Sequence, residues 1–475
     1  MTDELTHQSA AALAALMRAC RVSPVEVIEA HLRRIEFLNP RLNAVVTLAP
    51  DAIERAREAE DSVMRGDENI GVLCGVPVTI KDTIETKDLR TTSGSPLRAT
   101  YIPMQDSTAV ARLKAAGAIV IGKTNVSEMA MAYDADNPVF GRTNNPHDLT
   151  RTPGGSSGGC ATAVSACLVP ASLGSDLAGS IRVPAHFCGV VGLKPTASGR
   201  VPVDGHFPSA TGAAALGVSF GPIARHVEDL RLFYNVLAAT QSFINTQYAI
   251  ERQEQATRGL GLRGRCFAWY VDDGVSRVTN ETKKAVEAVA GALTKAGMIG
   301  VEAQPPGIAR APDLWRTLFQ RAALENLSEL YAGHEEKAGA LVRAVLTAGA
   351  NMPLPDAGEM ETAKRERALL RKQLIDWMRE TPLIVAPVGA AHAFPHGTRR
   401  VEIEGVSQSI FRAFSYAQTY NVFGLPCVSM PALRSREGLP VGVQIIGRPF
   451  AEAEVLNAAA IIEESLGGWM PPPAL

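Results

Sequence analysis

Apolar and polar positions alternate in two textures along the chain. From about residue 8 to 65 the pattern is helical, and Ser23-Pro24-Val25-Glu26 supplies an N-cap, a proline at the first helical position and an acidic first turn. Asn39-Pro40 interrupts that pattern, and Asp51 is the expected cap of the next helix. From Gly71 onward the pattern changes to short apolar runs divided by glycine and proline, at residues 76–80, 118–121, 383–387 and 441–446. Short runs of this kind between longer helical stretches predict buried strands in an α/β fold. The alanine-rich segment 158–173 is expected to be a buried helix. Residues 236–380 are helical in pattern, with residues 279–296 and 359–379 the clearest amphipathic stretches.

Composition narrows the function classes. The chain has 475 residues, 46% hydrophobic and 20% charged, with a formal net charge of −2. Nucleic-acid binding draws on clustered positive charge, and clusters such as Lys364-Arg365-Glu366-Arg367 are interrupted by acids, so they predict a solvated helix face. The seven cysteines are scattered without a Cys-x-x-Cys pair, and the nine histidines show no ligand spacing. The expectation is buried thiols in a reducing compartment, no metal and no cofactor. The apolar stretch 10–17 follows Asp3 and Glu4 rather than a basic segment, and is shorter than the roughly 20 residues that span a bilayer. It predicts an amphipathic helix in a cytoplasmic protein with no membrane partner.

Two serines lie in glycine-rich islands. Ser156 sits in Gly154-Gly155-Ser156-Ser157-Gly158-Gly159, and Ser180 in Asp176-Leu177-Ala178-Gly179-Ser180-Ile181-Arg182. Lys81 lies upstream after the apolar Val78-Thr79-Ile80. Glycine leaves the backbone free to turn N–H groups toward a bound oxygen, and a lysine in apolar surroundings can lose its charge by desolvation. Nucleophile, relay and base are therefore all available.

The ordered combination resembles the amidase signature family of Ser-Ser-Lys hydrolases. The likeness extends through Gly75-Val76-Pro77-Val78-Thr79-Ile80-Lys81-Asp82, Gly122-Lys123-Thr124-Asn125, Arg182-Val183-Pro184-Ala185 and Gly189-Val190-Val191-Gly192-Leu193-Lys194-Pro195-Thr196. It returns at Gly424-Leu425-Pro426 and Gly438-Leu439-Pro440-Val441-Gly442-Val443-Gln444. The resemblance implies one domain over 1–475 with a mixed central sheet covered by helices. Within it, residues 1–65 are N-terminal helices, 66–235 the signature core, 236–380 a variable substrate-entrance region and 381–475 a return to the core.

It also implies Ser180 as nucleophile, Ser156 as bridging hydroxyl held by an unusual cis peptide, and Lys81 as base. The oxyanion hole it implies is the N–H series of Leu177, Ala178, Gly179 and Ser180. Ala178 stands where many relatives carry glycine; it keeps the N–H donor but disfavours positive φ. Gly155 and Ser157 are expected to frame Ser156, and Asp176 and Arg182 to pair structurally. Met131 and Tyr133 fall where relatives line the acyl pocket. Lys81 acts as a base only when neutral, so burial must lower its pKa from about 10.4, and strand alternation turns the adjacent Asp82 to the other face.

Rival motifs fit less well. Gly117-Ala118-Ile119-Val120-Ile121-Gly122-Lys123-Thr124 matches a phosphate-loop expression, but its variable positions predict a strand. Gly154-Gly155-Ser156-Ser157-Gly158 matches a nucleophile elbow, which should follow a strand, whereas residues 144–153 are polar and proline-bearing. His186 is expected to pack rather than catalyse. The expected function is hydrolysis of small or aryl amides, with carbamates and esters open to the same acyl-enzyme chemistry. The alternative is the glutaminase subunit of a tRNA-dependent amidotransferase, which would need partner subunits; the stand-alone reading needs only a small-molecule substrate and leaves homo-oligomerisation open. A scaffold with a dead site is a third class, against which the intact Lys81, Ser156 and Ser180 argue.

Overall fold

Burial on both faces explains why the short apolar runs become strands. In the computed structural model every residue of Pro77–Lys81, Ile119–Thr124, Ala171–Asp176, Leu383–Pro387 and Pro440–Gly447 is buried. The structure describes residues 2–67, 70–239, 261–350 and 356–473. Its strands are β1 (Val45–Leu48), β2 (Pro77–Lys81), β3 (Ile119–Thr124), β4 (Asp136–Asn137), β5 (Gly141–Arg142), β6 (Ala171–Asp176), β7 (Val191–Lys194) and β8 (Ser219–Ala224). They continue with β9 (Cys266–Trp269), β10 (Ile299–Glu302), β11 (Leu383–Pro387), β12 (Arg400–Ile403), β13 (Val406–Ser409), β14 (Cys427–Arg434) and β15 (Pro440–Gly447).

Eleven of these form one mixed sheet in the order β1-β3-β2-β6-β8-β7-β14-β15-β11-β9-β10, while β4–β5 and β12–β13 are separate hairpins. Helices cover both faces. Ala10–Arg18, Thr108–Ala115, Val227–Ala238, Asn280–Lys295 and Glu452–Leu466 bury apolar residues against one side. Pro24–Leu42, Ala52–Arg65, Gly158–Ser165 and Arg182–Cys188 close the other.

Local signals account for several boundaries. Ser23 Oγ accepts from the N–H groups of Val25 and Glu26 while Glu26 accepts from Ser23 N, a reciprocal capping box. The expected break at Asn39-Pro40 does not occur, because the helix runs on to Leu42 with Pro40 in its last turn. Asn39 instead organises the exit: its Oδ1 accepts from Ala44 N and Val45 N at 2.8 and 2.9 Å. Asp51 precedes its helix without a side-chain cap, because its carboxylate pairs with Arg55 at 2.6 Å.

Segment 158–173 is not one helix. The helix stops at Ser165, Cys167 adopts a left-handed φ of 58°, and β6 starts at Ala171 after Pro170. Nor is 236–380 wholly helical: β9 and β10 pair in parallel at the sheet edge, and β9 also pairs with β11. Each is four residues long, too short to establish a period of two. Likewise β1, inside the expected helical N-terminal section, pairs antiparallel with β3. Residues 240–260 and 351–355 of the middle region lie outside the described residues.

Candidate active site

Parallel pairing brings the chemistry together. β2 runs parallel to β6, with Ile80 opposite Leu173, so Lys81 at the end of β2 and Ser175-Asp176 at the end of β6 emerge at the same sheet edge. This is where open α/β sheets present their ligand sites. The turn after Asp176 carries Ser180 into the helix Arg182–Cys188, and the island around Ser156 feeds the helix Gly158–Ser165.

The glycines of that island are required by close backbone approach. A Cβ on Gly155 would stand 1.9 Å from Asp134 O, and one on Gly159 would stand 2.4 Å from Asn125 N. The Gly155–Ser156 peptide is cis. Ser157 ties the two islands together: its N–H donates to Ser180 O at 3.2 Å, and its hydroxyl to Ser175 O at 3.2 Å.

Lys81 is wholly buried, with Nζ 2.7 Å from Ser156 Oγ, 2.9 Å from Ser175 Oγ and 3.4 Å from Ser175 O. Burial brings its pKa down to about 8, against the opposing pull of Cys160 and Asp176. Asp82 does not face it. The Asp82 carboxylate accepts from Thr92 N at 3.1 Å and Thr92 Oγ1, and its charge partner is Lys123. Among the described residues no hydrogen bond joins Ser156 to Ser180, but both open onto one cavity of about 90 Å³.

The loop 177–180 is held from below and from both sides. Asp176 Oδ1 accepts from Gly179 N at 2.8 Å and Oδ2 from Ile181 N at 3.1 Å. Asp176 pairs with the fully buried Arg182 at 3.0 Å, and Asn421 and Gln444 hydrogen-bond this pair. The left-handed residue is Gly179, at φ 105°, and Ala178 is not among the positive-φ residues, so alanine fits there without strain. Because Gly179 N–H is turned onto Asp176, it is not presented to the cavity. The N–H groups of Leu177, Ala178 and Ser180 have no protein acceptor among the described residues.

Met131 lies on the cavity wall, but Tyr133 does not. The Tyr133 ring packs 4.8 Å from that of Phe414, and its hydroxyl donates to Ala178 O at 2.7 Å, so it braces the loop instead of contacting a ligand. Trp315 Nε1 braces the neighbouring carbonyl, Leu177 O, at 2.8 Å. His186 packs as expected: Gly442 N donates to its Nδ1 at 2.6 Å, and its Nε2 meets Ala391 O at 3.0 Å.

Two further wall residues, Ser175 and His206, have no place in the motifs; they meet at 3.0 Å between Ser175 Oγ and His206 Nε2. Strand alternation after Leu173 offers a signal for Ser175. His206 lies in a loop that bridges to Ile84, where Glu85 N donates to Gly205 O at 2.8 Å and Phe207 N to Thr83 O at 2.9 Å, and it carries no local signal.

Comparison with known proteins then decides the family. The family model described as Amidase matches residues 26–456. The chain belongs to the amidase signature family. It is 34% identical to a glutamyl-tRNA(Gln) amidotransferase subunit from Anaeromyxobacter sp. (strain K), over 95% of each chain. Similar solved structures include a bacterial aryl acylamidase, at TM-score 0.84 and 27% identity over 96% of each chain. Another is the peptide amidase PAM bound to chymostatin, at TM-score 0.82 and 27% identity over 98% of this chain and 99% of that one.

Within this amidase-signature chain the other motif lysines are fastened to backbone. Lys123 Nζ donates to Ile84 O and to Thr86 Oγ1, the latter at 2.8 Å, and Lys194 Nζ donates to Pro195 O and Leu425 O at 2.9 and 2.8 Å. Lys81 alone of the three reaches the cavity serine. Among the described residues no helix is long and apolar enough to cross a membrane.

The lowered pKa of Lys81 sets a pH prediction. With the neutral amine as the expected base, kcat/KM should climb about tenfold per pH unit below about 8 and level off above it. Initial rates from pH 5.5 to 10 check this; a rate constant across that range would remove Lys81 as the titrating base.

Proposed function

We propose that this amidase-signature protein is a stand-alone, cofactor-free hydrolase of small apolar or aryl amides, extending to aryl carbamates and esters. The composition of the cavity carries the reading. Apart from the catalytic serines, Ser175 and His206, its wall is mostly apolar: Met129, Met131, Leu177, Val218, Phe319 and Leu327 are on it, and Asn326 and Ser209 add polar groups. Among the described residues no Asp, Glu, Lys or Arg is on the wall. A glutamine substrate brings an α-ammonium and an α-carboxylate, whose desolvation calls for charged partners. An apolar acyl or aryl group needs none.

In the proposed reaction Ser180 Oγ attacks the acyl carbon as its proton passes to Ser156, whose own proton moves to neutral Lys81. The oxyanion is received by N–H groups of Leu177, Ala178 and Ser180. Collapse of the tetrahedral intermediate breaks the C–N bond, the departing nitrogen takes the proton back through Ser156, and an acyl-enzyme remains. Water attacks it along the same relay and restores Ser180. For a carbamate the intermediate is carbamoyl- or alkoxycarbonyl-enzyme, according to which bond breaks.

The second reading, a glutaminase that works inside a multi-subunit complex, is favoured by the identity to amidotransferase subunits. One panel separates the two: an aryl anilide, a primary aliphatic amide, an aryl carbamate and glutamine, each against wild type and Ser180→Ala. Ser180-dependent amine release from the anilide or carbamate is expected. Ammonia from glutamine alone, or silence until the other amidotransferase components are added, would replace the stand-alone reading with the second.

A further inference from the structure

The hydrogen-bond capacities of four groups fix the direction of every proton beside Lys81. His206 Nδ1 lies 2.8 Å from Pro208 O, and a carbonyl only accepts, so Nδ1 carries the proton. His206 is partly buried on the cavity wall, where desolvation and the nearby Lys81 bring its pKa down to about 4, so the ring is neutral and Nε2 is an acceptor. The Ser175 hydroxyl, 3.0 Å away, must therefore donate to Nε2. Its single proton being spent there, Ser175 Oγ can only accept from Lys81.

Neutral Lys81 has two N–H bonds and one lone pair. Ser175 Oγ at 2.9 Å and Ser175 O at 3.4 Å are both acceptors and take the two N–H groups. What remains directed at Ser156 Oγ, 2.7 Å away, is the lone pair. That orientation lets Lys81 remove a proton from Ser156; with the amine rotated, an N–H would face Ser156 and no proton could be taken.

We propose that His206 is a positioning residue of the catalytic relay, which holds the Ser175 proton on its Nε2 and thereby turns the lone pair of Lys81 onto Ser156. This rests on the Ser180–Ser156–Lys81 hydrolase reading. The charged and titratable groups acting on Lys81 are Cys160 and Asp176, and Lys81 in turn acts on His206. None of these replaces the acceptor that His206 supplies to Ser175.

The test reads the nucleophile directly, without assuming an amide substrate: the second-order rate at which a fluorophosphonate probe labels the full-length protein, followed from pH 5.5 to 10. Ser180 Oγ forms the new O–P bond, fluoride leaves, and the serine proton passes to Lys81. His206→Phe keeps the ring, which lies 5.7 Å from that of Phe220, but removes both nitrogens. Ser175 is then free to turn its proton onto Lys81 and compete with Ser156. The plateau rate should fall by on the order of ten- to a hundredfold, part of the roughly 10²–10⁴ that general-base catalysis supplies. The midpoint should move to lower pH, because a hydrogen bond donated to the neutral amine favours it.

His206→Gln, whose Oε1 can accept from Ser175, should stay within a few-fold of wild type. His206→Phe added to Ser175→Ala should cost nothing beyond Ser175→Ala alone, since one residue acts through the other. Thermal unfolding confirms that each variant is folded, and His206→Leu replaces His206→Phe if the latter is not. A wild-type rate and midpoint in the apolar variant would overturn the proposal. So would a midpoint raised toward that of free lysine, which would make His206 a plug against water. A glutamine variant no better than the apolar one, or additive losses in the double variant, would overturn it as well. A wild-type protein that takes no label would overturn the hydrolase reading and this proposal with it.

Discussion

Ser180→Ala is expected to cut amide turnover by on the order of 10⁴- to 10⁶-fold while leaving the unfolding transition where it was. The two halves of that result come from different features of one side chain. Ser180 is 8% exposed on the cavity wall, and its hydroxyl has no hydrogen-bond partner among the described residues, so removing it leaves no buried polar group unsatisfied. The backbone of Ser180 keeps its structural task, because its carbonyl still accepts from Ser157 N. The two hydroxyls beside it, those of Ser156 and Ser175, are both engaged by Lys81. Steady-state rates on the anilide, together with mass spectrometry for a trapped acyl group, check the first half, and thermal unfolding the second. Undiminished turnover would overturn the nucleophile assignment; lost turnover with a collapsed fold would show that the side chain is structural.

What can be read in the sequence follows the range of the forces involved. Lys81, Ser156 and Ser180 are legible because each sits in a short motif whose glycines or apolar neighbours have a local reason to be there, such as Gly155 against the Asp134 backbone. The helix cap at Ser23 is legible for the same reason. The supports of the site are not. Arg182 and Asp176 are six residues apart, but Asn421 and Gln444, which complete their network, arrive from the far end of the chain. Tyr133 is expected against the ligand because sequence position indicates a neighbourhood, while the direction of its hydroxyl depends on the packing of Phe414 and Gln418 around it. His206 has no motif around it, and its partner Ser175 is 31 residues away in another element. Sheet order is equally nonlocal, since β2 finds β6 and β3 through burial on both faces, not through any feature of its own five residues.

Asp176→Asn is expected to destabilise the folded protein by about 3–5 kcal/mol, the cost typical of breaking a buried ion pair from one side. Arg182 and Asp176 are both fully buried, so the substitution leaves a guanidinium without its counter-charge. It also places an amide NH₂ among the N–H groups of Gly179, Ile181 and Arg182, which both carboxylate oxygens now receive. Burial alone would raise the Asp176 pKa, but the charge and hydrogen bonds of Arg182, with Lys194 and Asn421, outweigh it and hold the carboxyl well below its usual range. A depressed folded-state pKa contributes stability that is present above the unfolded value of about 3.9 and is lost as pH falls through the folded one. The gap between wild type and variant should therefore be nearly the same at pH 7 and pH 5 and begin to narrow by pH 3, as urea unfolding at those three pH values will measure. Adding Arg182→Met should return part of the loss, because an apolar pair leaves no charge to desolvate. A variant with the wild-type urea midpoint at pH 7 would mean that the loop bearing Ser180 is held by its backbone contacts and not by the ion pair beneath it.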